Sequence, residues 1–258
     1  MFKELLKYRD LLLMLTLRDI KIRYKQAVMG FVWAIFMPVM AVLAGVLVKK
    51  AISVVSGKPM DLAGVISISV KVLPWTFFIS SLRFAVQSLV GNSNLVTKIY
   101  FPKEVLPFSA TLACLFDFLI ASVALTLLLT IAHIGISIYL LWVPILLIFL
   151  ILFTSGLGLI LSSANLFFRD IKYIVEIILM FGIFFTPVFY EASTFGKWKV
   201  ILLLNPIGSI LEGINSVVVL HKIPELSWTL YAGIVSILIF VFGMIIFRKA
   251  EPLFAENI

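Results

Sequence analysis

Apolar runs about twenty residues long recur along most of this 258-residue chain, and a run of that length is what a helix needs to cross a bilayer core of about 30 Å. Six such runs can be traced. They are Ala27–Val48, a weaker stretch over Val65–Val90 interrupted by Lys71, Pro74 and Arg83, then Leu106–Ile131, Leu141–Ala164, Tyr173–Tyr190 and Trp228–Phe247. Charge is correspondingly scarce, at 13% of residues against 62% hydrophobic; a soluble domain carries about a quarter, because its surface must face water. The expectation is an all-α integral membrane protein, a single domain over residues 1–258 with about six transmembrane helices.

The segment Met1 to Lys25 departs from that pattern. It holds seven Lys/Arg, the densest basic cluster in the chain, and sets Phe2, Leu5, Leu6, Leu12, Leu13 and Leu17 at helical spacing with Lys3, Lys7 and Asp10 elsewhere. This predicts an amphipathic helix over residues 1–25 that lies in the membrane interface and does not span it. It has no apolar core between its charges and no small-residue cleavage site, so it does not read as a signal peptide. Six spans place both termini on one side. That side would hold thirteen Lys/Arg, in the N-terminus, the 91–105 and 165–172 loops and the C-terminus. The other would hold seven: Lys49, Lys50, Lys58, Lys71, Lys197, Lys199 and Lys222. The bias predicts cytoplasmic termini, with Lys49 and Lys50 against the trend. The net charge of +8 flanks apolar runs and builds no basic domain, so no nucleic-acid partner is expected.

Between the last two runs, Ile201–Leu204 and Ile214–Leu220 are apolar but too short to cross, and Asn205-Pro206 and Gly208 separate them. Residues 191–227 therefore predict short re-entrant helices on the outer side, where protein or water can satisfy the backbone; the plainer alternative is an outer loop. No internal repeat is visible, so the inverted-repeat design of many secondary transporters is not indicated.

Catalytic chemistry is thin. His133 and His221 lack ligand-type neighbours, and Cys114 is the only cysteine, so no metal site is expected. Gly57-Lys58-Pro59 lacks the upstream glycine of a phosphate loop, and no GxSxG elbow occurs. No catalytic residue and no cofactor bound by this chain is expected; energy for transport would come from another chain or an ion gradient. Arg83 and Asp117 fall inside spans, which marks them as functional candidates. They either pair across adjacent helices, or Arg83 snorkels to the inner headgroups while Asp117 accepts a hydrogen bond from a neighbouring helix, or they serve transport. Trp33, Trp75, Phe78, Phe185, Phe189 and Tyr190 either line a path or belong to interfacial belts. Two short loops mix charge with aromatics: Asn92–Pro107, with Lys98, Tyr100, Phe101, Pro102, Lys103 and Glu104, and Phe167–Ile174, with Arg169 and Asp170. They read as a docking surface for a soluble partner, or as anchors at helix ends.

Seven segments, taken in order, resemble a single family. They are RDIKIRYKQAVMGFVWAIFMPV (Arg18–Val39), LPWTFF (Leu73–Phe78), NLVTKIYFPKEVLP (Asn94–Pro107), LFFRDIKYI (Leu166–Ile174), TPVFY (Thr186–Tyr190), LNP (Leu204–Pro206) and EPLFAENI (Glu251–Ile258). Together they resemble the type-2 ABC exporter permeases that move polysaccharides, those for O-antigen most of all. The resemblance implies half of a homodimeric channel in the bacterial inner membrane, with two copies of a separate ATPase on its cytoplasmic side. ATP and Mg would be held by that partner. Arg18, Asp19, Arg23 and Tyr24 would belong to the interface helix, the 92–107 loop would hold the coupling element, and 191–227 would form the outer gate. The cargo would be a lipid-linked glycan. Rival readings are a type-2 permease for capsule, teichoic acid or another lipid, an ion-coupled carrier, and an intramembrane glycan-processing enzyme.

Overall fold

The computed structural model describes residues 7–25, 30, 32–56, 62–131, 135 and 137–257; the expectations resting on Phe2, Lys3, Leu5, Leu6, Gly57, Lys58, Pro59 and His133 lie outside them. Among the described residues there is no strand, and ten α-helices follow one another. They are α1 Arg9–Tyr24, α2 Val32–Ser56, α3 Leu62–Gln87, α4 Ser93–Lys98, α5 Val105–Ile131, α6 Trp142–Phe167, α7 Ile171–Phe185, α8 Lys199–Leu203, α9 Pro206–Val218 and α10 Leu226–Ala250.

Five of these, α2, α3, α5, α6 and α10, are long and apolar enough to cross a membrane, which makes this a multi-pass membrane protein. The expected fifth crossing, Tyr173–Tyr190, is shorter than its apolar run. Its helix α7 has 15 residues, about 22 Å at 1.5 Å per residue, against a core of about 30 Å. Pro187 explains the stop. The residue before a proline avoids the helical region, and Thr186 is extended at φ −116°, ψ 134°. The chain continues to the far end of the bundle as non-helical turns, where the Tyr190 carbonyl meets Lys71.

Two apolar clusters organise the bundle. The larger gathers α3, α5, α6, α7, α9 and α10 around Ile68, Trp75, Phe78, Leu146, Leu150 and Ile210. The smaller sits at one end and joins Leu15 of α1, Val96 of α4, Phe101, Leu106, Leu166, Phe247 and Phe254. Helix α1, the Phe254 segment after α10 and both charged loops therefore meet at the same end of the bundle. Helix α3 is the most buried span and α2 the least. Helices α6 and α10 approach closely through glycine: a Cβ on Gly156 would stand 2.7 Å from the Ile239 carbonyl carbon, and one on Gly243 would strike the Gly156 backbone oxygen. Small residues that let helix backbones touch are a main source of packing energy in a membrane.

At the opposite end lie α8 and α9, both too short to span. Helix α9 starts where the sequence sets Asn205-Pro206: Asn205 Oδ1 accepts from the Ile207 N–H at 3.2 Å, and Pro206 occupies the first turn. Asn205 Nδ2 donates to Thr186 Oγ1 at 2.9 Å, fastening this helix start to the break after α7.

Helix α1 lies against α5. Leu15, Thr16 and Ile20 are buried, whereas Leu13 and Leu17 are exposed. Helix α1 thus seats one stripe on α5 and turns the leucines of the other stripe outward.

Candidate docking face and translocation surface

Asp117, inside a span, is held by two short contacts from α1. Its Oδ2 accepts from Arg23 at 2.7 Å, and its Oδ1 accepts from the Tyr24 hydroxyl at 2.6 Å. Arg23 also donates to Cys114 Sγ at 3.4 Å and lies 3.8 Å over the Phe84 ring. Burial, then the hydrogen bond to Asp117, raises the Tyr24 phenol above its ordinary value, so it stays protonated and donates. The last turn of α1 is thus bolted to α5. Lower down, Ser109 donates to Asp19 Oδ2 at 3.3 Å, while Asp19 Oδ1 takes two bonds from Arg18.

This overturns the pairing of Arg83 with Asp117. Arg83 is exposed and makes no hydrogen bond or ion pair among the described residues. It shares with Trp33, Tyr24, Met37, Asp117 and Leu179 the wall of a cleft of about 580 Å³ between α1, α2, α3, α5 and α7. Replacing Asp117 by Leu is expected to free the end of α1, because Arg23 loses its counter-ion and Tyr24 its acceptor. Limited proteolysis at Lys21 and Lys25 should accelerate clearly; an unchanged digestion pattern would count against the anchor.

The two charged loops divide into buried and exposed residues. Tyr100 is 96% exposed and Phe168 69%, and Lys98, Arg169 and Asp170 are exposed beside them. Phe101 and Glu104 are not: they are 5% and 1% exposed within a single chain, so the docking roles expected of them have no accessible side chain to carry them. Phe101 anchors the loop in the smaller cluster. Glu104 Oε1 accepts from Arg248 at 3.3 Å. Pro102 and Lys103 are half-buried; Lys103 Nζ donates to the Ile99 carbonyl at 2.5 Å, and its N–H donates to Glu251 at 2.9 Å.

The expected path aromatics divide in the same way. Trp75 and Phe78 are core residues, 2% and 4% exposed, packed at 5.6 Å on one another, with Phe78 stacked at 6.2 Å on Phe153. Neither lines an open wall. Phe185 and Trp33 are exposed; Phe189 packs beside Gly45 of α2; Tyr190 is half-buried against Phe195 and donates to the Phe184 carbonyl at 2.8 Å. Along α7, Ile174, Ile177, Ile178, Phe181 and Phe185 face outward, and α2 shows Met37, Met40, Leu43 and Leu47.

Three residues that hold these surfaces were not singled out from the sequence. Asn165 donates to the Val86 carbonyl at 3.0 Å and accepts from the Lys172 N–H at 3.1 Å, tying the 168–171 turn to α3. Glu251 and Arg248 brace the loop before α5. Asn165 had a signal: it is an amide directly at the end of an apolar run, where an unsatisfied polar group is costly. Glu251 and Arg248 had none, since their partners lie about 150 positions away.

A multi-helix bundle in the membrane, with an exposed aromatic and charged ridge at one end and a short helix pair at the other, has the build of a transport subunit. The profile of the ABC-2 type transporter family matches residues 10–219, and the chain belongs to that family. Its relatives include the O-antigen export system permease protein RfbA of Myxococcus xanthus, 29% identical over 265 residues that span 99% of this chain and 98% of that one. Two proteins of the same name from Klebsiella pneumoniae are 27% and 28% identical, each spanning 96% of this chain and 94% of its own length.

Proposed function

We propose that the chain is the membrane subunit of an ATP-driven exporter that moves a lipid-linked polysaccharide, O-antigen in the first instance, across a bacterial inner membrane. One observation carries this reading above the others: relatives named for O-antigen export align with it along almost its whole length. The exposed ridge of Lys98, Tyr100, Phe168, Arg169 and Asp170 suits a soluble partner, because exposed aromatics amid charges are the composition of a docking surface. Two copies of an ATPase would sit there, holding ATP and Mg, with both termini of this chain on that cytoplasmic side. A second copy of the chain would cover the apolar faces of α2 and α7 and enclose a path touched by Trp33, Phe185, Phe189 and Tyr190. Such a path must pass a polymer without gripping it, so scattered contacts serve better than one deep site. An ion-coupled carrier finds little support, since Asp117 is engaged by Arg23 and Tyr24.

Co-expression with its partner ATPase should yield a complex of two membrane subunits and two ATPases in detergent. A chain that always purifies alone would sink the reading. Within the complex, Tyr100→Ala and Arg169→Glu should weaken ATPase association by about tenfold or more, as loss of an interface hot spot does, with normal membrane insertion. Glu104→Gln should instead lower the yield of folded subunit, because it weakens the contact with Arg248. Normal ATPase association in both surface variants would move the docking site elsewhere.

A further inference from the structure

We propose that a cavity of about 160 Å³ formed by the 191–199 segment, α9 and the start of α10 is a subsite for one neutral sugar unit of the exported glycan. The proposal rests on the function given above and adds a site to it. Its lining includes Glu191, Lys199, Glu212, Asn215, Glu225 and Trp228.

The observation that points to a ligand is Asn215. Its side chain is 1% exposed, and its carboxamide makes no hydrogen bond among the described residues, Oδ1 being fully buried without a partner. Buried amides almost always find partners, and one that does not bears its full desolvation cost. A carboxamide offers both acceptor and donor, which is what a sugar hydroxyl or acetamido group pairs with. Two further acceptors stand nearby. Both hydrogen bonds to Glu212 fall on Oε1, from Lys71 at 3.3 Å and from the Ala192 N–H at 3.1 Å, which leaves Oε2 open. Glu225 takes Lys199 on Oε2 at 2.5 Å, leaving Oε1. Trp228 adds an aromatic surface, half-buried and braced edge-on by Tyr231 at 5.9 Å, and the C–H face of a sugar ring packs on such a plate. Few convergent polar groups beside an aromatic wall is the general make-up of a small-molecule site. The volume is below the roughly 300–1,000 Å³ of drug-sized pockets and suits one ring.

Charge narrows the choice. Three carboxylates line the cavity, and Lys71 and Lys199 offset two of them, so an acidic sugar meets net repulsion and a neutral one does not. A metal ion is the other occupant carboxylates suggest, but among the described residues no three His, Cys, Asp or Glu side chains stand close enough to hold one.

The test is saturation-transfer NMR on the assembled complex with the partner ATPase, using methyl glycosides of neutral hexoses, of N-acetylhexosamines and of hexuronic acids as separate probes. Wild type should bind the first two at millimolar strength and reject the third. Asn215→Leu and Trp228→Ala should each cut the transfer by about fivefold or more; the second variant, at a half-buried position, keeps the test open where the first fails to fold. No transfer in wild type, equal transfer in a folded variant, preference for the uronic acids, or a response to Ca²⁺ or Mg²⁺ alone would each overturn the site. Glycan export is assayed on the same preparations. Export without sugar binding overturns the subsite and leaves the proposed function standing. Sugar binding that the variants abolish, without export of any glycan, supports the subsite and overturns the function.

Discussion

Lys71→Met is expected to give a subunit that inserts but loses the order of its re-entrant end, with a sharp fall in folded yield. The sequence leaves this lysine as an oddity near the start of a span. In the folded chain it is 1% exposed, and its Nζ donates to the Tyr190 carbonyl at 2.5 Å and to Glu212 Oε1 at 3.3 Å. One ammonium thus joins α3, the segment after α7 and the re-entrant helix α9. Removing one member of a buried pair strands the other charge, which costs about 3–5 kcal/mol, whereas replacing both by apolar groups is often close to neutral. Lys71→Met/Glu212→Met should therefore recover much of what Lys71→Met loses, short of full recovery because the Ala192 N–H and the Tyr190 carbonyl stay bereft. Thermal unfolding of the purified subunit and modification of a cysteine placed at Ser193 would read both effects. A single variant that behaves as wild type, or a double variant no better than the single, would refute the tether.

Gly243→Val should abolish folded protein altogether. Its side chain would have to occupy space held by the Gly156 backbone, and main chain cannot step aside as a side chain can. Overpacking of ordinary cores costs about 1–3 kcal/mol and sometimes more; here the α6–α10 contact itself must open. Gly243→Ala should fall between, and Gly91→Ala, where an added Cβ meets nothing within 4 Å, should match wild type. The yield of monodisperse protein on size exclusion separates the three. Recovery of Gly243→Val at wild-type levels would show that these helices do not meet as described.

Much of this architecture could be read from apolar run length, because hydrocarbon demands it locally: no distant residue is needed to know that Leu141–Ala164 spans. The start at Asn205-Pro206 was legible for the same reason, since proline restricts its own neighbours; the same rule applies at Thr186-Pro187, yet the apolar run continues to Tyr190 and hid the stop. Exposure was not legible. Tyr100 and Phe101 are adjacent aromatics in one loop, yet one is almost fully exposed and the other is core. Nothing local distinguishes them; the decision is made by Val105, Phe247 and the other members of the smaller cluster, brought in from across the chain. Ion pairing failed similarly. Asp117 and Arg83 looked like partners from their positions in neighbouring spans, but the partner came from α1, which the sequence had set on the surface without saying against what.

Consider the two attachments of α1 to α5, at Ser109–Asp19 and at Asp117 with Arg23 and Tyr24. They stand eight residues apart on α5, about 12 Å along its axis, and α5 begins directly after the Lys98–Glu104 loop. Two pins remove the freedom to pivot that a single pin would leave. A displacement of the start of α5 would therefore carry the last turn of α1 with it, and with both the wall of the cleft that Tyr24 and Asp117 share with Arg83.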